Sequence, residues 1–333
     1  MARSSGKWPR CRTSWTRLSA DPVGVARSSV ARADLSARPG PALPRWVWPW
    51  LLLLPTFVAI GAVAFWPILE GLRLSFTNTS LITRQSDFVG FDNYAGLLSD
   101  SRFWNAWGHT VWFTFASTVL ETLIGLGMAL VLYERFPCRG LVRAAMLVPW
   151  AMPTVVTSKM FGWLFDGQNG VVNWILLQLG LIDAKVNWYG DPDTALTTLI
   201  IADVWKTAPF MALLLLTGLQ TIPKSLTEAA RMDGARPWTV FWSIRLPLLM
   251  PTLLIAGLFR ALDAFRVFDL VYVLTGGGPA DSTETLSTLA YKELFSTLEF
   301  GYGSTVSTAM FLTEAVLAGI LCLWLVRTIR RVT

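Results

Sequence analysis

Long uncharged runs of apolar residues recur along this 333-residue chain, and they restrict its fold more than any other feature. About twenty consecutive apolar residues are needed for an α-helix to cross the hydrocarbon core of a bilayer. Hydrophobic residues make up 53% of the chain and charged residues only 15%, whereas soluble domains average about 25% charged residues. We therefore expect an all-α, polytopic membrane protein with six transmembrane helices. The predicted spans are 46–69, 107–133, 144–165, 195–219, 246–274 and 306–326.

The connections between these spans alternate in charge, and this alternation orients the chain. Residues 1–44, the link 134–143, the loop 220–245 and the last residues of the chain are basic, whereas the loops 166–194 and 275–305 are acidic. Basic segments are retained in the cytoplasm during insertion. Six spans with both termini in the cytoplasm satisfy this pattern, and five or seven spans would place a basic segment outside. The net charge of +6 is thus explained by membrane topology rather than by nucleic-acid binding.

Residues 1–44 differ in composition from the rest of the chain. They are rich in Arg, Ser, Ala and Pro and lack the apolar core of a secretory signal peptide. We expect a disordered basic cytoplasmic tail, followed by one transmembrane permease domain over 45–333. A wrongly assigned start codon is the alternative explanation for the tail.

The sequence carries none of the common signatures of an enzyme or a metal protein. The three cysteines, Cys11, Cys138 and Cys322, are far apart, and the chain has one His, so neither a disulfide framework nor a metal site is expected. The phosphate-binding pattern G-x-x-x-x-G-K-[ST] is absent, so the chain is not expected to hydrolyse ATP itself. The absence of H-E-x-x-H and G-x-S-x-G argues against an intramembrane enzyme. We expect no catalytic residue, no metal and no cofactor on this chain.

The basic loop 220–245 has the pattern of two short helices joined at a glycine. Ser225 and Glu228 have the spacing of an N-terminal capping box. Asp233 and Gly234 form a helix stop, because glycine readily takes the left-handed conformation. A proline is well placed to open each helix, and these two are Pro223 and Pro237. Small side chains would let another protein approach the backbone closely, at Ala229, Ala230, Gly234 and Ala235.

This loop also carries a longer pattern that extends into the fifth span. Its residues are Glu228-Ala229-Ala230, Asp233-Gly234-Ala235, Phe241, Ile244, Leu246-Pro247 and Pro251. The pattern resembles the EAA loop of binding-protein-dependent ABC importer permeases. The resemblance implies a type I ABC importer permease bundle, in which this loop docks into a cleft on an ATPase subunit. The residues that it implies for coupling are Glu228, Ala229, Ala230, Asp233, Gly234 and Ala235.

A second segment narrows the resemblance to carbohydrate uptake. Residues 259–279, which end in Gly276-Gly277-Gly278-Pro279, and residues 282–285 are most similar to permeases of trehalose/maltose importers. The resemblance implies import of a disaccharide across the inner membrane by ATP-driven alternating access. It also implies a second homologous permease, two ATPase subunits that hold ATP and Mg, and an extracytoplasmic solute-binding protein. The alternatives are another ligand such as glycerol 3-phosphate, or proton-coupled secondary transport through Asp263 or Asp269.

The fifth predicted span carries four charged residues of alternating sign, Arg260, Asp263, Arg266 and Asp269. Each ion near the bilayer centre costs about 2.5–3.5 kcal/mol on insertion scales, so this face must contact protein or water. One interpretation is that the charges pair with each other or with the Asp203, Lys206 and Lys159 of other spans.

The other interpretation is that some of these charges line a polar cavity for a sugar, whose hydroxyl groups need hydrogen bonds and whose C–H faces stack on aromatic rings. We predict sugar contacts from Asp263, Arg266, Asp269, Tyr272, Phe265 and Phe268. We predict structural ion pairs among Arg260, Asp203 and Lys206.

Overall fold

A computed structural model describes Pro44, residues 46–134 and residues 136–332, with side chains described as far as Thr328. Apart from Pro44, the predicted tail over 1–44 lies outside the described residues. The chain divides into two units, residues 1–55 and residues 56–333. Of the first unit, the structure describes the beginning of the first helix. The second unit contains the helical bundle that positions the candidate site.

The described chain is almost entirely helical, with one two-stranded sheet. In chain order the elements are α1 (Val47–Ile60), α2 (Trp66–Leu74), β1 (Thr77–Ser80), β2 (Gln85–Phe88), α3 (Asp92–Ser99), α4 (Ser101–Tyr133), α5 (Arg139–Ala151), α6 (Thr154–Leu164), α7 (Val171–Gln178), α8 (Pro192–Thr221), α9 (Lys224–Met232), α10 (Pro237–Val240), α11 (Leu246–Phe265), α12 (Asp269–Leu274), α13 (Leu286–Tyr291) and α14 (Phe300–Val332). Three π-helical turns lie between or after helices, at Gly61–Phe65, Phe241–Arg245 and Lys292–Ser296.

Among the described residues, five helices are long and apolar enough to cross a membrane, and a bent pair brings the count to six if it forms one span. The five are Val47–Leu74, Ser101–Tyr133, Pro192–Thr221, Pro237–Phe265 and Phe300–Thr328. The most apolar stretch of the last one has no buried residue, as expected of a helix that faces lipid.

The third predicted span is a broken element rather than one helix. Helices α5 and α6 meet at an angle of 90°, so the predicted span over 144–165 is present as a bent pair of helices. The break lies at Met152 and Pro153, whose ψ angles are both 137°. Proline has no amide hydrogen to donate, and it drives the residue before it away from the helical conformation.

The helix that corresponds to the fifth predicted span begins earlier in the chain than predicted and also ends earlier. The long helix begins at Pro237 and ends at Phe265, so the prediction of one helix over 246–274 is wrong. The chain then turns through Arg266–Phe268 and resumes as α12, which packs against α6. The Thr285 hydroxyl donates to the Val267 carbonyl at 3.3 Å, which satisfies an acceptor freed by the break.

The bundle core lies chiefly between α4 and α8, which contact each other along much of their length. Gly125 of α4 permits this close approach, because a Cβ atom there would lie 2.8 Å from the Met211 side chain and 3.1 Å from the Ala212 nitrogen. The buried side chains Leu132, Leu215 and Leu249 belong to the same apolar cluster, which joins α4, α8 and α11. These three helices therefore form a fixed frame for any polar group that they carry.

The segment between the first two spans contains a β-hairpin that the sequence analysis did not predict. Strands β1 and β2 pair antiparallel, from Thr77 opposite Phe88 to Ser80 opposite Gln85. The Asn93 side chain donates to the carbonyls of Ser75 and Thr77, at 3.0 and 2.9 Å.

The loop 220–245 folds largely as its pattern predicts. Helix α9 is followed by Gly234 with a φ of +80°, and Pro237 occupies the first turn of α10. The predicted capping box is wrong, because the N-cap is Pro223 and no side chain caps α9. Helix α10 is also not a separate short helix, since it continues through the π-helical turn into α11.

Candidate functional site

A buried ion cluster joins the three core helices at the centre of the candidate site. Arg260 of α11 has a side chain only 6% exposed, and its guanidinium group donates to the carboxylates of Glu121 on α4 and Asp203 on α8. Its third nitrogen, Nη1, donates to Asp263 Oδ2 at 2.9 Å. The planar guanidinium group can hold several carboxylates at once because it carries five donors in fixed directions. Arg260 thus holds α4, α8 and its own helix together.

The cluster is richer in acidic than in basic groups, since one guanidinium group faces three carboxylates. Glu121 is fully buried, whereas the Asp263 side chain is 72% exposed. Lys206 lies one turn after Asp203 and lines the adjoining cavity. The buried end of the cluster is suited to fix the helices, and the exposed end can contact a ligand.

A cavity of about 200 Å³ opens beside this cluster. Its wall is formed by the N-terminus of α6, the middle of α8, the end of α11 and the turn that leads into α12. The break after Phe265 is what turns this last segment towards the cavity. The polar side chains of the wall are those of Thr154, Asp203, Lys206, Thr207, Arg260, Asp263, Arg266 and Asp269.

The structure brings most of the predicted sugar-contacting residues together at this cavity. Asp263, Arg266, Phe268 and Asp269 line it directly. Tyr272 stacks on Phe268, with ring centroids 5.2 Å apart and an interplanar angle of 18°. The lining also includes Asp203, Lys206 and Arg260, which the sequence analysis assigned to structural pairs.

Phe265 does not line the cavity. It is fully buried in an apolar cluster with Leu286 and Leu289, so its ring cannot stack on a ligand there. Ala261, Ala264 and Phe265 are all buried residues of α11, whereas Arg266 lines the cavity.

Sequence reasoning assigned no role to several residues that shape the site, among them Glu121, Thr154, Thr207 and Glu314. A role for Glu121 could have been predicted from the sequence, because a carboxylate inside an apolar span must have a partner. Glu314 lies inside the predicted span 306–326 and gave the same signal, whereas Thr154 and Thr207 gave none. Glu314 of α14 lies 3.2 Å from Nε of Arg266, and only the packing of α14 near the end of α11 brings them together.

A row of aromatic rings continues from the cavity towards the surface. Phe268 and Tyr272 each lie 5.0 Å from Tyr291 between ring centroids, and Tyr291 lies 5.0 Å from Phe295. A hydrogen bond with Tyr272 raises the pKa of the Tyr291 hydroxyl. The rings present apolar faces beside hydroxyl groups, a combination suited to a ligand with C–H faces and polar groups.

A second candidate surface lies on α9 and the turn after it. Glu228, Ala229, Asp233 and Gly234 are exposed, and the Met232 side chain is 88% exposed. A Cβ atom at Gly234 would meet no atom within 4 Å, so this turn is open to an approaching protein. Ala230 and Ala235 complete the predicted set and are half-buried.

The fold and these two sites agree with a comparison against known families. The model of the family described as "Binding-protein-dependent transport system inner membrane component" matches residues 121–332. The chain belongs to this family. It is therefore a multi-pass inner-membrane permease subunit of an ABC importer, and ATP hydrolysis takes place on a separate ATPase subunit. The resemblance predicted from the loop 220–245 is confirmed.

Curated relatives cover most of the chain. The trehalose/maltose transport system permease protein of Thermococcus litoralis is 43% identical over 262 residues, which cover 79% of this chain and 88% of the relative. The sulfoquinovosyl glycerol transport system permease protein of Agrobacterium fabrum is 37% identical over 280 residues, covering 81% and 90%. The trehalose transport system permease protein of Mycobacterium tuberculosis is 37% identical over 273 residues, covering 80% and 85%.

A solved structure shares the fold. It is a bacterial ABC transporter involved in the import of the acidic polysaccharide alginate, and it matches with a TM-score of 0.72. The match covers 86% of this chain and 96% of that chain at 23% sequence identity. The type I importer permease fold predicted from the sequence is confirmed.

Proposed function

We propose that this chain carries a disaccharide such as trehalose or maltose across the inner membrane. It acts as one of two homologous permease subunits, together with two ATPase subunits and an extracytoplasmic solute-binding protein. The observation that supports this proposal is the cavity beside Arg260, which combines exposed carboxylates, cations and stacked aromatic rings. The names of relatives that cover four fifths of the chain support the same class of ligand.

Within the cavity, Asp263, Arg266 and Asp269 are placed to bind sugar hydroxyl groups. Phe268 and Tyr272 offer ring faces to the apolar side of a sugar ring. The cavity of about 200 Å³ is smaller than the roughly 300–1,000 Å³ typical of ligand sites. We infer that the partner permease supplies the opposite wall.

The energy for transport reaches this chain through α9. Closure of the ATPase subunits around ATP moves the docked helix and turns the cavity from one side of the membrane to the other. ATP can drive this shift only by binding the closed state more tightly. Glu228 and Asp233 provide exposed charges for docking, and Ala229 and Gly234 permit close approach.

The substrate proposal is tested with the complete transporter reconstituted in proteoliposomes. We expect uptake of labelled trehalose or maltose that requires ATP inside the vesicle and binding protein outside. Uptake of glycerol 3-phosphate without any uptake of disaccharide would contradict the assigned substrate. Uptake driven by a proton gradient in the absence of ATP would contradict the mechanism.

The coupling proposal is tested by adding bulk to the α9 surface with Ala229→Leu. Ala229 is exposed and helical, so a larger side chain strains nothing within this chain, whereas any substitution at Gly234 would also strain a backbone with positive φ. We expect ATP hydrolysis to persist while uptake falls at least about tenfold, which corresponds to about 1.4 kcal/mol. The matched control is Ala95→Leu on the exposed face of α3. Wild-type uptake by the Ala229 variant would refute docking at this residue.

We further propose that α9 and both termini lie in the cytoplasm. The basic residues of the α5 and α9 regions support this orientation. A reporter fused after Thr333 should be active only as a cytoplasmic reporter, and activity of an extracytoplasmic reporter at that position would reverse the topology.

A further inference from the structure

A second cavity, larger than the one beside Arg260 and separate from it, lies at the α9 end of the bundle. Its volume is about 760 Å³. It is bounded by the end of α4, the start of α5, the end of α8, the first turns of α9 and Arg245 before α11. Five of its lining side chains are cationic and two are acidic. The cations are Arg139, Arg143, Lys224, Arg231 and Arg245, and the acids are Glu134 and Glu228.

Three of these arginines have buried donors without a partner. Nε of Arg139, Nε and Nη2 of Arg143, and Nε of Arg245 are shielded from solvent and find no hydrogen-bond acceptor among the described residues. Buried polar groups in folded proteins are nearly always hydrogen-bonded, so each of these donors calls for an acceptor such as a water molecule or an ion. Arg139 and Arg143 are one helical turn apart, so their side chains project from the same face of α5.

The acidic groups of the cavity do not neutralise these arginines. Among the described residues, the carboxylate nearest to any of the three is that of Glu134, whose Oε1 lies 3.9 Å from Nη2 of Arg245, and Glu134 is itself 64% exposed. Arg245 is held instead by the Tyr133 ring, whose centroid lies 5.2 Å from the guanidinium carbon. The ring fixes the direction of the side chain without satisfying its donors.

Two helix N-termini border the same cavity. Helix α5 begins at Arg139 and α9 at Lys224, and neither has a side-chain cap. Uncapped amide groups at a helix N-terminus attract negative charge. Guanidinium donors and helix termini therefore favour the same kind of occupant, an anion with several acceptor oxygens.

We propose that this cavity is a binding site for a phosphate group, supplied by an anionic phospholipid headgroup or by inorganic phosphate. Guanidinium groups bind phosphate in a bidentate manner, and a phosphate offers enough oxygens to serve Arg139, Arg143 and Arg245 together. Basic pockets between transmembrane helices commonly hold lipid headgroups. Thr227, Glu228 and Arg231 of α9 belong to the wall of the cavity. A bound phosphate group would therefore also stabilise the position of α9.

The test uses the purified transporter complex, stripped of lipid with detergent. One arm adds phosphatidylglycerol, with phosphatidylcholine as the reference lipid, and counts retained lipid by native mass spectrometry. The other arm measures thermal stabilisation by inorganic phosphate against chloride at equal ionic strength. We expect the wild-type complex to retain phosphatidylglycerol, to be stabilised by phosphate, or both, and the arm that responds identifies the source.

The variant for both arms is Arg139→Gln with Arg143→Gln, and we expect at least about tenfold weaker binding. The matched control is Arg84→Gln with Arg327→Gln, two exposed arginines outside the cavity. If the first variant does not fold, Arg139→Lys with Arg143→Lys keeps the charge and should bind more weakly than wild type. The proposal is overturned if the wild-type complex responds in neither arm, or if the variant binds as the wild type does. Loss of the ATPase subunit with unchanged phosphate and lipid binding would assign the cavity to an acidic segment of that subunit.

Discussion

The structure contains two arginine clusters, one buried and one partly exposed to water. They differ in whether a carboxylate keeps a second cation when the arginine is removed, and this difference determines how much each arginine contributes to stability. Arg260 lies in the core and joins Glu121 and Asp203, which belong to different helices. Arg102 lies at the opposite end of α4 from Tyr133, and its side chain is 36% exposed. It contacts Glu284 through Nε at 2.7 Å and Nη2 at 2.8 Å, and Glu293 through Nη1 at 3.0 Å.

The difference lies in what remains when the arginine is removed. The Arg102 partner Glu284 keeps a second cation, because Nζ of Lys292 lies 2.7 Å from its carboxylate. Glu121, a partner of Arg260, is fully buried, and the ion pair described for Glu121 is the one with Arg260. Breaking a buried ion pair by removing one partner costs about 3–5 kcal/mol, chiefly because a charge is left buried without compensation. The core cluster should therefore tolerate substitution far less well than the outer one.

The largest effect is expected from Arg260→Met. It leaves Glu121 and Asp203 without their cation inside the bundle, and we expect most of the folded complex to be lost, in line with a cost of about 3–5 kcal/mol. Fluorescence-detected size-exclusion chromatography of membrane extracts measures this loss. Adding Glu121→Gln and Asp203→Asn to the same chain should restore part of the yield. If Arg260→Met alone gave the wild-type yield of folded complex, the buried cluster would not be more sensitive to substitution than the outer one.

A smaller effect is expected from Arg102→Met. Lys292 still neutralises Glu284, and Glu293 loses the cation Arg102 but keeps the hydrogen bond from the Thr297 hydroxyl, so we expect a loss of about 1–3 kcal/mol. Thermal unfolding of the purified complex measures it. Adding Lys292→Met should lower stability by more than the sum of the two single changes, because Glu284 then has neither cation. Strict additivity would show that the two cations do not share one carboxylate.

The smallest effect on folding is expected from Asp263→Asn, although its effect on transport should be large. The Asp263 side chain is 72% exposed, so its bond to Arg260 contributes little to stability. Loss of a charged hydrogen bond to a sugar costs about 1.5–3 kcal/mol, which predicts uptake at least about tenfold lower at an unchanged amount of complex. The matched control is Asp87→Asn, an exposed carboxylate on β2. Reduced assembly with unchanged uptake per complex would assign Asp263 to the structural part of the cluster instead.

The sequence predicted helices best where the local signal and the tertiary environment agree. The pattern of Asp233-Gly234 and Pro237 led directly to the end of α9 and the start of α10, because a positive φ and a fixed proline φ are local requirements. Neither the 90° angle at Pro153 nor the end of α11 at Phe265 follows from the sequence. Proline occurs both in bent and in continuous membrane helices, and nothing between Phe265 and Asp269 in the sequence marks a helix end. In that second case, packing against α6 and the hydrogen bond from Thr285 to Val267 stabilise the break.

The residues of the candidate site also fall into two groups, those that the sequence identified and those that only the packing of the helices revealed. Asp263, Arg266 and Asp269 were identified because charges in an apolar span require partners or water. Phe265 was included by its position between them, but its ring packs in the apolar core with Leu286 and Leu289. The contact between Glu314 and Arg266 was missed because a carboxylate in a span shows that a partner is needed but not which residue supplies it.

By itself, the sequence determined the membrane class of this protein, its family and the surface at Glu228–Ala235 that we assign to coupling. Each of these follows from the length of apolar runs or from a short continuous pattern. Only the tertiary structure decided which charges neutralise one another and which remain available. Glu121, Asp203 and Arg260 lie far apart in the chain, and the unpaired donors of Arg139, Arg143 and Arg245 become visible only when separate segments of the chain pack together. The physical reason is that the energy of a charge depends on its neighbours in space and on its access to water, which no local pattern encodes.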